Sequence, residues 1–422
     1  MKVLWITNIM LPAISNAINR PSMVFGGWLE GSANALKEKV NLSIATTYDG
    51  NNIVDKEIDG IRYFLLPSKA KMYKYDPALE KLWMMVSDLI KPDIVHIHGT
   101  EYPYGLAYIK ACGNSNVVIS LQGILSECAK HYFDGISLKD RIKNFRPWSF
   151  YFGLDFCSAK RSFQSRSISE KKLLLLCENF AGRTTWDKSI VCSVNPTANY
   201  YEIGEALRKS FYTGSWNYDD CNKYTIFISQ AGYPIKGFHL FLKALCLVKN
   251  KYPHVQVRIA GPDITQSNSL KSKLLQSDYG RMISDFIDKH NLRENINFLG
   301  LLSEDRMRSE YLSANVFVSP SSLENSPNSL AEAQILGTPC VASFVGGVSN
   351  MVEHGKTGYL YRFEDYVVLA NYISDIFDCK YNLQELSINE RACALIRHDK
   401  EAIIDAILSM YGNIIENSNH IE

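Results

Sequence analysis

The sequence predicts an α/β protein built from two doubly wound domains, and three observations carry that expectation. Short apolar, β-branched runs alternate with longer helical patterns through most of the 422 residues. The alternation occurs twice, with a polar and aromatic stretch between the two series. Composition is ordinary for a globular chain, 46% hydrophobic and 21% charged, which is enough for sizeable cores and argues against wholesale disorder.

The first series reads as strands at Val3–Thr7, Leu42–Thr46, Ile61–Leu65, Ile94–Ile97 and Val117–Ser120, with helices at Gly27–Lys39 and Asp76–Ile90. The second reads as strands at Thr225–Ser229, Val255–Gly261, Ile296–Gly300, Val316–Pro320 and Cys340–Ser343, each followed by a helical segment. Within Gly237–Asn250, Phe238, Phe241, Leu242, Leu245 and Val248 recur at the spacing of one buried helix face. Strands linked through helices form parallel sheets with helices on both faces. Tyr200–Lys223 holds no clear strand, so the expected domains are 1–204 and 222–402. An amphipathic C-terminal helix, 403–422, is expected to pack back on the first. In such domains strand C-terminal ends and helix N-termini gather at one edge, and the two edges are expected to face a central cleft.

Net charge is +1, which argues against a nucleic-acid partner. Ten cysteines are scattered from Cys112 to Cys393 without a C-x-x-C or metal-like spacing, as expected of reduced thiols in a cytoplasmic protein. The opening MKVLWITNIMLP is one strand long and badly flanked for a signal peptide, and no apolar run nears the ~18 residues of a spanning helix. Ser137–Lys172 departs from the rest, with nine Lys/Arg against three Asp/Glu among many aromatics. It reads either as a helical insert with a solvated basic face or as a peripheral contact with the inner face of the membrane.

The most informative stretch is Ser321–Ser343, SSLENSPNSLAEAQILGTPCVAS. It follows a strand, turns through Asn325, Ser326 and Pro327, and opens a helix near Asn328 and Ser329. Helix-start N–H groups, with the macrodipole behind them, suit a diphosphate. Glu324 just before the helix and Glu332 in its second turn are placed to accept hydrogen bonds from ribose and sugar hydroxyls. The same residues also fit a capped, solvent-facing helix with two ordinary glutamates. Upstream, Lys236 sits at a helix start, where a cation opposes the macrodipole unless an anion lies between them.

Glu324-x7-Glu332, followed by GTPCVASFVGGVSNMVEHGKTGYL, resembles the signature of glycosyltransferase family 4, retaining enzymes of the GT-B fold, strongly over residues 225–362 and more faintly before them. The resemblance implies that Glu324 contacts the donor sugar, Glu332 holds the ribose, and the backbone from Asn325 to Ser329 meets the sugar and diphosphate. Ser229–Leu245 resembles the family's phosphate loop, with Lys236 as the lysine that neutralises the leaving diphosphate. Gln230 stands where an arginine is common, so that charge is missing. Gly261 and Pro262 of IAGPD, and Leu299 of FLGLLS, match the two base-binding loops. In the first half, Gly26 and Gly27 resemble the N-terminal glycine loop and are expected to face the donor phosphates. On the acceptor side the candidates are His98, which alternation places on one strand face with His96, and Gln122 with Gly123. Many relatives have a histidine where this chain has Gln122, and glutamine cannot act as a base. Gly182–Pro196 and Asn199–Tyr212 resemble polysaccharide-building bacterial members.

The resemblance implies a hexosyltransferase that moves a sugar from a nucleotide diphosphate-sugar, UDP- or GDP-linked, to a hydroxyl of a glycan or lipid-linked oligosaccharide. No cofactor and no metal are expected, since no Asp-x-Asp follows a strand in the required setting. A sugar-nucleotide epimerase, a sugar phosphorylase or a non-catalytic nucleotide-binding protein on the same fold are the competing expectations.

Overall fold

The computed structural model describes residues 1–21, 27–70, 74–266 and 269–419. Among them, the chain divides into two compact units. The first comprises Met1–Ser126, Ser162–Arg208 and His398–Glu422, and the second Glu127–Arg161 and Lys209–Arg397. The second unit thus takes Glu127–Arg161 from the stretch expected within 1–204. Ile136 and Phe156 are the reason: both are buried in the second unit's apolar core.

The first unit is an eight-stranded sheet. Its strands are β1 (Lys2–Thr7), β2 (Asn41–Tyr48), β3 (Val54–Ile58), β4 (Ile61–Pro67), β5 (Ile94–His98), β6 (Val117–Ser120), β7 (Asn179–Gly182) and β8 (Asn199–Glu202), in the order β3-β4-β2-β1-β5-β6-β7-β8. Every pairing is parallel except β3 with β4. That hairpin escapes a hydrophobicity reading because VDKEI is a polar edge strand. Its turn residues Asp59 and Gly60, with φ of 50° and 78°, are the pair that a tight two-residue hairpin demands. Strand β8 opens the stretch read as strandless, which is therefore not a plain linker. Further along the same stretch Phe211 and Trp216 are buried in the second unit, and the Trp216 indole donates to the Ala314 carbonyl at 2.7 Å.

Both faces of the first sheet are covered, so β1 reads as a nearly continuous apolar run and β5, two histidines included, is buried along its whole length. One face carries Leu29, Ala33 and Leu36 together with Ile403, Ile407, Met410 and Tyr411 of the C-terminal helix Lys400–Asn419. The other carries Trp83, Val86, Leu106 and Leu173.

The second unit holds β9 (Thr225–Ile228), β10 (Gln256–Ile259), β11 (Ile296–Phe298), β12 (Val316–Ser319), β13 (Cys340–Ser343) and β14 (Tyr359–Tyr361), all parallel, in the order β11-β10-β9-β12-β13-β14. The chain steps outward from β9 through β11, then returns to lay β12 on the other side of β9. The loops after β9 and β12 therefore leave the sheet in opposite directions, opening a crevice at their C-terminal ends. The first sheet has the same crossover between β1 and β5. The ten cysteines are free thiols. No helix among the described residues is long and apolar enough to cross a membrane.

Candidate functional site

The loops after β9 and β12 meet at the second sheet's crossover, and a glycine permits it. After β9 the chain runs through Pro234–Lys236 to Gly237, which precedes the helix Phe238–Lys251 with φ of 67°. A Cβ on Gly237 would lie 1.7 Å from the Pro320 carbonyl oxygen. Only glycine combines this backbone twist with that close approach. The Ser322 N–H donates to the Ile235 carbonyl at 2.7 Å, which stitches the two loops together.

The stitch sets Lys236 against Glu324. The Lys236 Nζ donates to Glu324 Oε1 at 2.7 Å, and the two side chains are only 18% and 14% exposed. Ser321 Oγ donates to the same carboxylate oxygen at 2.7 Å. Burial pulls the Lys236 ammonium down, but Glu324 and Tyr233 outweigh it and hold its pKa above the ordinary value. It carries its charge throughout the neutral range. The backbone of Glu324 is held from the other side, where the Gly347 N–H donates to its carbonyl at 3.0 Å. A Cβ on Gly346 would lie 2.0 Å from that same oxygen. The two glycines of FVGGVS are positioning residues that the motif reading passed over, although their adjacency was a usable signal.

The helix Asn328–Leu336 begins four residues after Glu324 with Pro327 at its N-cap, and no cap side chain bonds to its first turn. The first N–H groups of a helix lack intrahelical acceptors, so this end is suited to an anion or a ring of hydroxyls. Glu332 lies in the second turn and is buried beneath it, with the Tyr311 hydroxyl 3.5 Å from Oε2. Tyr311 also donates to the Ser329 carbonyl at 2.9 Å. Asn325 is buried, whereas Ser326 to Ser329 are half-buried.

The base-loop candidates gather at the same sheet edge. Gly261 and Gly300, with φ of 107° and 72°, form an antiparallel bridge in which the Gly261 N–H donates to the Gly300 carbonyl at 2.8 Å. The Leu299 N–H donates to the Ile259 carbonyl at 2.8 Å. Pro262 is exposed beside this bridge, and so is Gln230 just past β9. The second unit thus brings Lys236, Glu324, Glu332, Gln230, Gly261, Pro262, Leu299 and Asn325–Ser329 to the C-terminal edge of one sheet.

The first unit treats its candidates differently. Gly26 lies outside the described residues, and Gly27 starts the helix Gly27–Leu36. His98, at the end of β5, is 5% exposed, stacked on His96 at 4.0 Å and set edge-on to Trp5 and Trp28. Burial, with His96 beside it, drives its pKa well down, so it is a neutral imidazole. Gln122 is held by Glu205, which also pairs with the Arg183 guanidinium. The Gly123 N–H donates to Glu101 Oε1 at 3.0 Å, and Asn8 donates to the other oxygen at 2.9 Å. Glu101, Arg183 and Glu205 were not singled out in the sequence, since a lone charge in a loop carries no pattern.

Residues 214–392 match the family described as glycosyl transferases group 1. That stretch contains every second-unit residue of the site. The chain is 26% identical over 148 residues to D-inositol 3-phosphate glycosyltransferase of Streptomyces scabiei, covering 34% of this chain and 31% of the relative. It is 24% identical over 183 residues to the capsular polysaccharide biosynthesis glycosyltransferase CapM of Staphylococcus aureus, covering 43% and 44%. The chain thus spans less than half the length of either relative. Among solved structures, sucrose-phosphate synthase from Thermosynechococcus elongatus is similar over 99% of this chain and 100% of its own, with a TM-score of 0.71 and 16% identity. Anabaena HepE in complex with UDP-glucose is similar over 98% and 100%, with a TM-score of 0.67 and 15% identity. These likenesses identify the fold of the group 1 domain and its partner unit as GT-B, two Rossmann-like α/β domains with parallel sheets.

Proposed function

We propose that the protein is a retaining glycosyltransferase of family 4. It transfers a hexose from a UDP- or GDP-linked donor to a hydroxyl of a glycan or lipid-linked oligosaccharide in surface polysaccharide assembly. The observation that carries the reading is the Lys236–Glu324 pair, 2.7 Å apart at the crossover of the second sheet, one turn before an uncapped helix start. Glu324 supplies the counter-charge that keeps a sheltered ammonium in place. A donor diphosphate set on the helix start becomes a second counter-charge for Lys236, and Glu324 is then available to a sugar hydroxyl. As the bond between the anomeric carbon and the diphosphate oxygen breaks, negative charge grows on the leaving phosphate, and a pre-placed ammonium and helix N–H groups favour that change most where charge develops. The acceptor oxygen bonds to the same face of the anomeric carbon, and its proton passes to the leaving phosphate. No other base is then required, which accords with Gln122 standing where a histidine is common. The uridine nucleotides seen with similar structures, UDP-glucose with HepE and UDP with Staphylococcus aureus TarM, favour UDP as the first donor to try.

A thermal-shift series with UDP, GDP, ADP and their common sugar conjugates tests the reading. A nucleotide at 100 times its Kd adds about 2.7 kcal/mol of stability. A shift with one nucleotide family is the expected result, and no shift with any of them sinks the proposal.

A further inference from the structure

Between Ser137 and Phe152 the usual burial rule is inverted. The buried residues of this segment are polar, namely Asn144, Arg146 and Ser149. The large apolar ones face out: Leu138, Ile142, Phe145, Trp148, Phe150, Tyr151 and Phe152 range from 43% to 87% exposed. Single exposed apolar side chains are common on any protein, but seven within fifteen residues form a patch.

Polar groups lock the patch in place from behind. Arg146 Nη1 donates to the Lys273 carbonyl at 3.0 Å, its other amino group donates to the Gln276 carbonyl, and its Nε lies 3.3 Å from Asp278. Ser149 Oγ donates to Asp278 at 3.0 Å, and the Asp278 N–H donates to the Leu154 carbonyl at 3.0 Å. The segment is thus held to the second unit by an ion pair and hydrogen bonds, which frees its hydrocarbon for something outside the unit. Two short helices, Leu138–Asn144 and Pro147–Phe152, present it. Leu138, Ile142 and Phe145 fall at i, i+4 and i+7 and share one face.

Charge selects the occupant. Lys139 and Lys143 are exposed on the first helix, and Arg141 lies over the Phe133 ring at 4.3 Å. The one acid on that helix, Asp140, accepts from Ser137 Oγ at 2.6 Å. Beside the helix, Lys143, Lys243 and Lys289 line a cavity of about 270 Å³, with Asp140 and Asp285 also in its wall. A second copy seated symmetrically on this patch would bring the same cations against each other. Aromatic rings with flanking cations suit the headgroup level of a bilayer instead.

We propose that Ser137–Phe152 is the docking surface for a membrane leaflet that carries anionic lipid. The aromatic side chains sit among the headgroups, and Lys139 and Lys143 meet lipid phosphates. The inference stands on the patch alone and is independent of the reaction proposed above. It is tested by cosedimentation of the full chain with phosphatidylglycerol vesicles and with phosphatidylcholine vesicles. The protein is expected to bind the former and much less the latter. Lys139→Glu with Lys143→Glu should weaken binding roughly 30-fold or more. Ile142→Asp with Tyr151→Asp should abolish it while leaving the thermal transition unchanged, since both side chains are exposed. Failure to bind phosphatidylglycerol, binding that survives both double variants, or a concentration-dependent dimer that Ile142→Asp with Tyr151→Asp dissolves would each overturn the proposal.

Discussion

The two sheets share one crossover and use it in opposite ways. In the second unit, the loops after β9 and β12 bring a lysine, two glutamates and an uncapped helix start to the sheet edge. In the first unit, the ends of β1 and β5 are occupied by the protein's own side chains. His98 is packed between His96, Trp5 and Trp28, and Glu101 is bonded to Asn8 and Gly123. Glu170 accepts from Thr100 Oγ1 at 2.9 Å and from the Leu125 and Ser126 N–H groups at 2.8 and 3.0 Å. Topology supplies a crevice at a crossover, and side chains decide whether it stays available to a ligand or becomes a wired support for neighbouring loops.

The sharpest way to break this contrast is to mutate both crossovers and measure sugar transfer. Lys236→Ala should reduce transfer by roughly 10²–10³-fold, the usual cost of removing one group that stabilises developing charge. Glu101→Gln should lower the melting temperature and leave nucleotide affinity unchanged. Equal losses of affinity in the two variants would erase the distinction.

Gly237→Ala probes the geometry rather than the charge. The new Cβ meets the Pro320 carbonyl oxygen, and the φ of 67° penalises any side chain. The expected cost is about 3 kcal/mol or more in denaturant unfolding, with nucleotide binding lost alongside as Lys236 shifts. An alanine variant of native stability would show that the two loops have room to separate.

The smallest effect belongs to the first unit and is a matter of pH. Burial pushes the Glu170 carboxyl up to about 7 from an ordinary 4.5, against the hydrogen bonds that favour its charged form. The folded protein then holds this proton more readily than the unfolded chain does, so stability rises as pH falls from about 7 towards 4.5. The gain is about 3 kcal/mol at most. Melting temperatures across that window should show the slope, and Glu170→Gln should flatten it while being less stable at the low-pH end. A slope unchanged in the variant would assign it to another group.

The same contrast explains what could be read from the sequence. The second unit's candidate site is local: each element is a strand, a short loop and a helix start, and the residues appear in order along a recognisable motif. Most strands of both sheets were legible from apolar alternation; the polar edge strand β3 and the short β7, β8 and β14 were not. The first unit's network was not legible. Glu170 lies on a helix 70 residues from Thr100, and Arg183 meets Glu205 across 22. No spacing rule links such positions. Within the insert Ser137–Lys172, whose basic and aromatic composition left a solvated face and a membrane contact both open, the outward turn of the apolar residues was not legible, because periodicity assumes that apolar residues turn inward.

The C-terminal helix has a consequence for how the molecule comes into being. Tyr411 accepts from the Trp5 indole at 3.0 Å and pairs with His96 at 2.6 Å, so one buried hydroxyl joins β1, β5 and a helix some 400 positions downstream. A ribosome delivers the chain from its amino end, and domains generally fold as units as they emerge. The first unit must wait, with Ile44, Leu42 and Trp5 lacking their cover, until Ile403–Tyr411 has been made. The second unit, which ends at Arg397, has all its strands in hand by then. The half of the protein that is translated first is therefore the half that is finished last, and its sheet is the surface that a nascent-chain chaperone would need to shield.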